Sequence, residues 1–272
     1  MSEDWAVFVI NLDRSPDRLA RISRQLDAAR IPFQRFAGVD GGDINDKDDS
    51  HAGLVDTAHW GAFHHRNPLA AEIGCYLSHI GAMRAFLESK QTLALVLEDD
   101  AEIPAALSDL LDALRRERDQ WDLVKLHATH PGPQPRRAQL TPDYSLTSYV
   151  TRSACSTAYC LSKPAAATLI DYLLPARLPF DHVFDRNFDH GLKTRGVAPM
   201  PIGTGRVASV INQDRDVPRP LTHGLGDRPL LPKWRTPFYR LWTESRRLIY
   251  NLFVDGGLRA LLVNAFQNRP LA

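Results

Sequence analysis

The chain has 272 residues, with 44% hydrophobic and 24% charged side chains and a formal net charge of +1. That suits one large domain, or one domain with appendages, of ordinary soluble globular composition, and the near-neutral balance removes any general pull toward nucleic acid. No apolar run approaches the length of a membrane-spanning helix, and three cysteines without paired or metal-ligand spacing (Cys75, Cys155, Cys160) point to reduced thiols in a cytoplasm.

The opening MSEDWAVFVINL does not read as a secretory leader, because its apolar run is short and lacks a basic start. Residues 5–10 (WAVFVI) read as a buried strand, and 15–30 as a helix with Ser15 as N-cap, Pro16 in the first turn and an apolar stripe of Leu19, Ile22, Leu26 and Ala29. Residues 33–39 read as a second strand, so the order suggests a βαβ unit with a parallel sheet. Residues 40–53 are acidic and glycine-rich, without the glycine and closing glutamate of an EF-hand, and read as a surface loop. A helix is expected over 69–90; Gly74 and Gly81 inside it, each costing roughly 1 kcal/mol against alanine, imply close packing or a ligand near the backbone. Then come a strand at 93–97, a helix at 104–118, a strand at 122–127, a turn-rich stretch at 128–137, a strand at 156–162, and a helix at 163–174 capped by Ser162. After Pro175 the regularity weakens. Residues 234–266 look like one or two amphipathic helices broken at Gly256–Gly257.

The apolar run LALVL ends in Glu98, Asp99 and Asp100. Three adjacent carboxylates repel one another and are costly to desolvate, so they face either water or a positive group. If the strand continued through them, Glu98 and Asp100 would point the same way. Open α/β sheets bind ligands beyond the carboxyl ends of their strands, and carboxylates there suit Mg²⁺ or Mn²⁺ beside phosphate. The alternative is complementation of a helix dipole near Pro104, with Glu102 taking part. Asn11, Arg14 and Arg18 follow the first strand, where nucleotide contacts are suited; both arginines could equally be exposed helix residues. Ser78 and His79, read from the residues alone, are satisfied in a helix interface.

The segments VFVINLDRSPDRLARI, RFAGVDG, AEIGCYLSHIGAMRAFL and LALVLEDDAEI resemble, in order and spacing, glycosyltransferase family 25, which includes lipopolysaccharide galactosyltransferases and collagen galactosyltransferases. The resemblance covers roughly residues 5–215, and STAYCLSKPAAATLI fits its later part, although the family more often has glycine near Ala158. It implies an α/β fold of GT-A type, with a mostly parallel sheet flanked by helices over residues 1–220; the tail, which the resemblance does not cover, reads as a helical extension over 221–272. It further implies a nucleotide-sugar donor such as UDP-galactose, a Mn²⁺ or Mg²⁺ cofactor, and transfer with inversion. On that analogy Asp100 is the direct metal ligand, Glu98 and Asp99 support the metal water shell or the ribose, and His79 hydrogen-bonds the diphosphate or sugar.

Inverting transfer needs a base for the acceptor hydroxyl. Asp181 matches the family's P-x-D segment, with Asp185 as alternate; Asp181 could instead cap a short helix. His182 and His190 are candidate metal or phosphate contacts. In the tail, Leu241, Trp242, Leu248, Ile249, Leu252 and Phe253 lie beside Arg240, Arg246 and Arg247, which suits either an anionic membrane surface or packing as core. The expected protein is a metal-dependent hexosyltransferase on the cytoplasmic side of a bacterial membrane, acting on a saccharide or lipid-linked glycan. The rivals are an inactive relative that binds nucleotide sugar or glycan, and a nucleotidyltransferase. No GxGxxG follows the first strand and no P-loop occurs.

Overall fold

A computed structural model describes residues 4–44, 53–64, 66–205 and 235–266. Its strands are β1 (Trp5–Asn11), β2 (Gln34–Ala37), β3 (Leu93–Glu98), β4 (Ala101–Glu102), β5 (Leu123–Lys125), β6 (Arg136–Gln139), β7 (Ser145–Thr147), β8 (Ala158–Ser162), β9 (Thr194–Ala198) and β10 (Gly203–Thr204). Eight of them form one sheet in the order β2-β1-β3-β8-β5-β9-β7-β6, and β4 pairs with β10 apart from it. β7 and β8 run against the other six strands of the large sheet, which is therefore mixed but mostly parallel.

The helices are α1 (Pro16–Ala28), α2 (Thr57–His64), α3 (Ala70–Glu88), α4 (Leu107–Arg116), α5 (Lys163–Leu173), α6 (Phe180–Phe184) and α7 (Asn187–His190), followed by helix Arg235–Ile249, a π turn at Tyr250–Val254 and helix Gly257–Phe266. Strand alternation sorts the core into two layers. Val7, Val9, Leu95 and Leu97 pack with Ile22 and Leu26 of α1 and with the leucines of α4. Phe8, Ala94, Val96 and Tyr159 pack on the other face with α3, α5 and α6.

The expected βαβ unit is present, with β1 and β2 parallel. Ser162 caps α5 by accepting from Ala165 N. Ser15 makes no side-chain cap; its carbonyl accepts from Asn11 Nδ2 at 2.9 Å. Asp181 lies in the first turn of α6, whose N-cap is Pro179. The strand does not carry on through the acid triplet: β3 ends at Glu98, and the chain turns at Asp99–Asp100 before β4. Residues 45–52 of the expected surface loop, and the expected boundary near 220, lie outside the described residues.

Close packing accounts for both helical glycines. A Cβ on Gly74 would lie 2.6 Å from the Val39 carbonyl oxygen, and one on Gly81 2.4 Å from the Phe36 ring. Gly74→Ala is expected to lower stability by about 1–2 kcal/mol, because the backbone clash outweighs the roughly 1 kcal/mol gain in helix propensity. Urea denaturation measures it; an equal or higher midpoint at unchanged slope would show that the 39–41 segment yields freely.

The C-terminal helices carry their polarity inside out. Thr243, Arg247, Asn251 and Asn264 are buried, whereas Phe238, Leu241, Trp242, Ile249, Phe253 and Val254 are each more than half exposed. The inward face is fixed by hydrogen bonds: Asn187 Nδ2 to Asn251 Oδ1 (2.8 Å), Asn251 Nδ2 to the Val150 carbonyl (3.2 Å) and Asn264 Nδ2 to the Arg136 carbonyl (3.2 Å). Packing of the apolar tail residues as core is thereby corrected: of the six named, Leu241, Trp242, Leu248, Ile249 and Phe253 are exposed and Leu252 is half-buried. No described helix is long and apolar enough to cross a membrane.

Candidate functional site

β1 and β3 are parallel neighbours in a register that pairs Ile10 with Glu98, so their carboxyl ends bring Asn11 alongside Asp99. Asn11 Nδ2 donates to Asp99 Oδ2 at 2.7 Å, and Asn11 Oδ1 accepts from Arg35 Nε at 3.0 Å. From α1, Arg18 Nη2 reaches Asp99 Oδ1 at 2.5 Å and Asp100 Oδ2 at 3.4 Å. Asp100 Oδ1 is buried without a hydrogen-bond partner. Burial and the neighbouring Glu98 charge, opposed by Arg18 and reinforced by Asp99, push the Asp100 carboxyl up to about 6. Burial likewise raises Asp99, against Asn11 and Arg18.

Alternation along β3 puts Glu98 on the opposite face, toward α3. Cys75 and His79, four residues apart on that helix, meet it there, and one ligand atom from each of the three lies within 4.8 Å of the other two. His79 Nε2 is 3.3 Å from Glu98 Oε1, and its Nδ1 is 3.1 Å from the Tyr159 hydroxyl. Its ring stacks on Phe180 of α6 with centroids 4.4 Å apart. Ser156 Oγ donates to Glu98 Oε1 at 2.9 Å. Burial works to raise Glu98, but the hydrogen bonds from His79 and Ser156 and the Arg18 charge hold it below the ordinary carboxylate range.

The two clusters meet at one cavity of about 110 Å³. It gathers Asn11, Arg14, Arg18, Ser78 and His79 with Glu98, Asp99 and Asp100. Within it Arg14 is exposed and paired with Asp40. Ser78 Oγ donates to the Gly74 carbonyl (2.6 Å) and accepts from Val39 N (2.8 Å), which fixes the cavity's rim. A divalent cation fits the Cys75–His79–Glu98 group, whose His79 and Glu98 are held by second hydrogen bonds, while Asp100 supplies an unpartnered buried oxygen that lines the same cavity outside that group. Asp100 stands outside the Cys75–His79–Glu98 group, so the expected metal pair of Asp100 and Glu98 shares the cavity without forming one close ligand group.

The candidate bases differ from each other. Asp181 is about a third exposed on α6, and burial raises its carboxyl against the charges of Arg152 and Lys125. Asp185 is buried: Ser153 donates to it through N (3.0 Å) and Oγ (2.5 Å), Arg247 Nη1 lies 3.0 Å from Oδ2, and Lys125 Nζ is 3.9 Å from Oδ1. His182 Nε2 is 4.0 Å from Asp181, while His190 Nδ1 accepts from Leu192 N and its ring meets Tyr172 edge-on. Sequence reasoning passed over Cys75, Tyr159 and Phe180; the four-residue spacing of Cys75 and His79 was the available signal for the first.

The sequence profile described as "Glycosyltransferase family 25 (LPS biosynthesis protein)" matches residues 5–184 of this chain. A "Glycosyltransferase 25 family member" of Anopheles gambiae is 30% identical over 124 residues, covering 43% of this chain and 21% of that protein. "Procollagen galactosyltransferase 1-A" of Xenopus laevis is 30% identical over 125 residues, 44% of this chain and 20% of that protein. "Probable inactive glycosyltransferase 25 family member 3" of Rattus norvegicus is 27% identical over 190 residues, 67% of this chain and 33% of that protein. The matched stretch thus spans between a fifth and a third of each relative's length.

Proposed function

The chain belongs to glycosyltransferase family 25, and from that premise we propose that it transfers a hexose, galactose from UDP-galactose in the first instance, with inversion onto a saccharide acceptor. The observation that carries this reading is the acid cluster at the carboxyl ends of β1 and β3, gathered with His79, Arg14 and Arg18 around one cavity. The fold on this reading is of GT-A type.

Asp100 and Glu98, with His79, would hold Mn²⁺ or Mg²⁺, which when bound supplies charge to stabilise the departing diphosphate. Arg18 keeps Asp99 and Asp100 together despite their repulsion, and Asn11 orients Asp99 toward the ribose. Arg14, at the cavity mouth, exchanges Asp40 for phosphate. Asp181 accepts the proton of the acceptor hydroxyl as that oxygen bonds to the anomeric carbon and the bond to the diphosphate breaks. Asp185, held on every side, positions the 153 loop and α6.

Thermal unfolding with and without Mn²⁺, against UDP, UDP-galactose and other nucleotide sugars, tests the donor reading. At a hundred times its Kd, a ligand is expected to raise the midpoint by roughly 5–10 °C, and Asp100→Ala to remove the metal-dependent part. No metal-dependent shift with any nucleotide would leave an inactive relative as the better reading.

The acceptor on this proposal is a lipid-linked glycan at the cytoplasmic face of a membrane, reached through the outward apolar face of the C-terminal helices, with Arg259 exposed beside it. Co-sedimentation with anionic vesicles is expected for the protein as it stands and lost for Leu241→Glu; equal pelleting of the two would remove the membrane reading.

A further inference from the structure

A second cavity, of about 370 Å³, opens between α6 and helix Arg235–Ile249, within the size of small-molecule sites. Its walls carry Arg152, Arg186, Arg240 and His182, with Phe63 and Tyr239 as aromatic surface. Arg247 and Glu244 also line it, but these two pair with each other at 3.2 Å, and Arg247 is further held by Asp185.

Among the described residues no carboxylate lies within ion-pair distance of Arg152, Arg186 or Arg240. Arg186 is held instead by the preceding helix and by a ring: Nε donates to the His182 carbonyl at 3.1 Å, and its guanidinium lies 5.7 Å from the centre of the Tyr239 ring. Arg152 and Arg186 are half-buried. Three guanidinium groups facing one concavity repel each other, and an anion that offers paired oxygens, a carboxylate or a phosphate, satisfies each planar fork two bonds at a time. The Phe63 and Tyr239 rings, 4.2 Å apart, offer the apolar surface on which the face of a sugar ring rests. The cavity adjoins the proposed base: His182 follows Asp181, and the Arg152 charge acts on the Asp181 carboxyl.

We propose that this cavity is an acceptor subsite for a saccharide bearing a negatively charged substituent, phosphate or carboxylate. Calling the ligand an acceptor rests on the glycosyl-transfer reading; the recognition of an anionic sugar does not. Arg152 and Arg240 grip the anion, Arg186 braces Tyr239, and the ring is presented with a hydroxyl toward Asp181.

Isothermal titration of the full chain with glucose 6-phosphate, glucuronate, glucose and inorganic phosphate, each repeated with UDP in excess to fill the first cavity, tests the subsite apart from the reaction. Glucose 6-phosphate or glucuronate is expected to bind with UDP present and glucose not to bind. Arg152→Gln and Arg240→Gln are each expected to weaken binding about tenfold or more, at unchanged thermal midpoint and unchanged affinity for UDP. The two probes separate phosphate from carboxylate as the preferred anion. Displacement of the anionic sugar by UDP, indifference to both substitutions, or equal binding of inorganic phosphate alone would overturn the proposal. Failure of UDP to bind would overturn the donor reading and leave this titration, run without UDP, to decide the subsite.

Discussion

Asp181→Asn is expected to lower kcat by about 10²–10⁴-fold, the usual contribution of a positioned general base, while the UDP-dependent rise in thermal midpoint stays as in the parent protein. The pH profile supplies the second readout. A base must be deprotonated in the free enzyme, so kcat/KM falls on the acid side through its pKa. Burial raises Asp181 above the ordinary aspartate range, with Arg152 and Lys125 opposing. The acid limb should therefore lie higher than an ordinary aspartate would place it, and should vanish in Asp181→Asn. Full turnover with an intact acid limb in that variant would assign the proton to another group.

Arg247→Ala is expected to destabilise the fold by about 3–5 kcal/mol, the effect of stripping one partner from a buried ion pair. Arg247 and Asp185 are each 3% exposed at the side chain, and Arg247 Nη1 also donates to the Asp185 carbonyl at 2.5 Å. The loss leaves Asp185 facing Lys125, whose ammonium burial already lowers against the pull of Asp185. Thermal unfolding should show a midpoint lower by roughly 10 °C or more. Asp185→Asn belongs to the same test: a structural carboxylate loses stability when neutralised, whereas a base would lose turnover at full stability. A midpoint within a degree of the parent for both variants would return Asp185 to the list of candidate bases.

Much of this architecture is written locally. WAVFVI and LALVL are continuous apolar runs because both faces of β1 and β3 are covered, and the expected stripe packs as read, Ile22, Leu26 and Ala29 in the core and Leu19 against it. The missed strands are the ones whose burial is decided elsewhere. β9 reads TRGVA, and its Arg195 is buried only because Asp255, sixty residues on, meets it at 2.8 Å. β7 has three residues and no pattern of its own. α2, TAHWGAFH, has no polar face to mark a period. β8 was legible as a strand but not as an antiparallel one between β3 and β5, since direction is set by the path of the chain between them.

The candidate site divides the same way. Three carboxylates after an apolar run are conspicuous in any sequence, because a core cannot absorb them. Which face each would take was not legible, since that depends on where β3 stops: ending at Glu98 sends it to His79 and Cys75 and leaves Asp99 and Asp100 to Arg18. The basic cavity was invisible, because Arg152, Arg186 and Arg240 come from three separate segments, none of them a charge run.

Helix Arg235–Ile249 presents Tyr239, Arg240 and Thr243 to the basic cavity and Leu241, Trp242 and Ile249 to the outside. Its rotation about its own axis is locked by Arg247 and Asn251. A protein adsorbed through the outer residues would therefore have its catalytic mouth at a set height and tilt over the surface. Its encounters with a bilayer-anchored acceptor would then be lateral and two-dimensional, and its rate would follow acceptors per unit area rather than per unit volume.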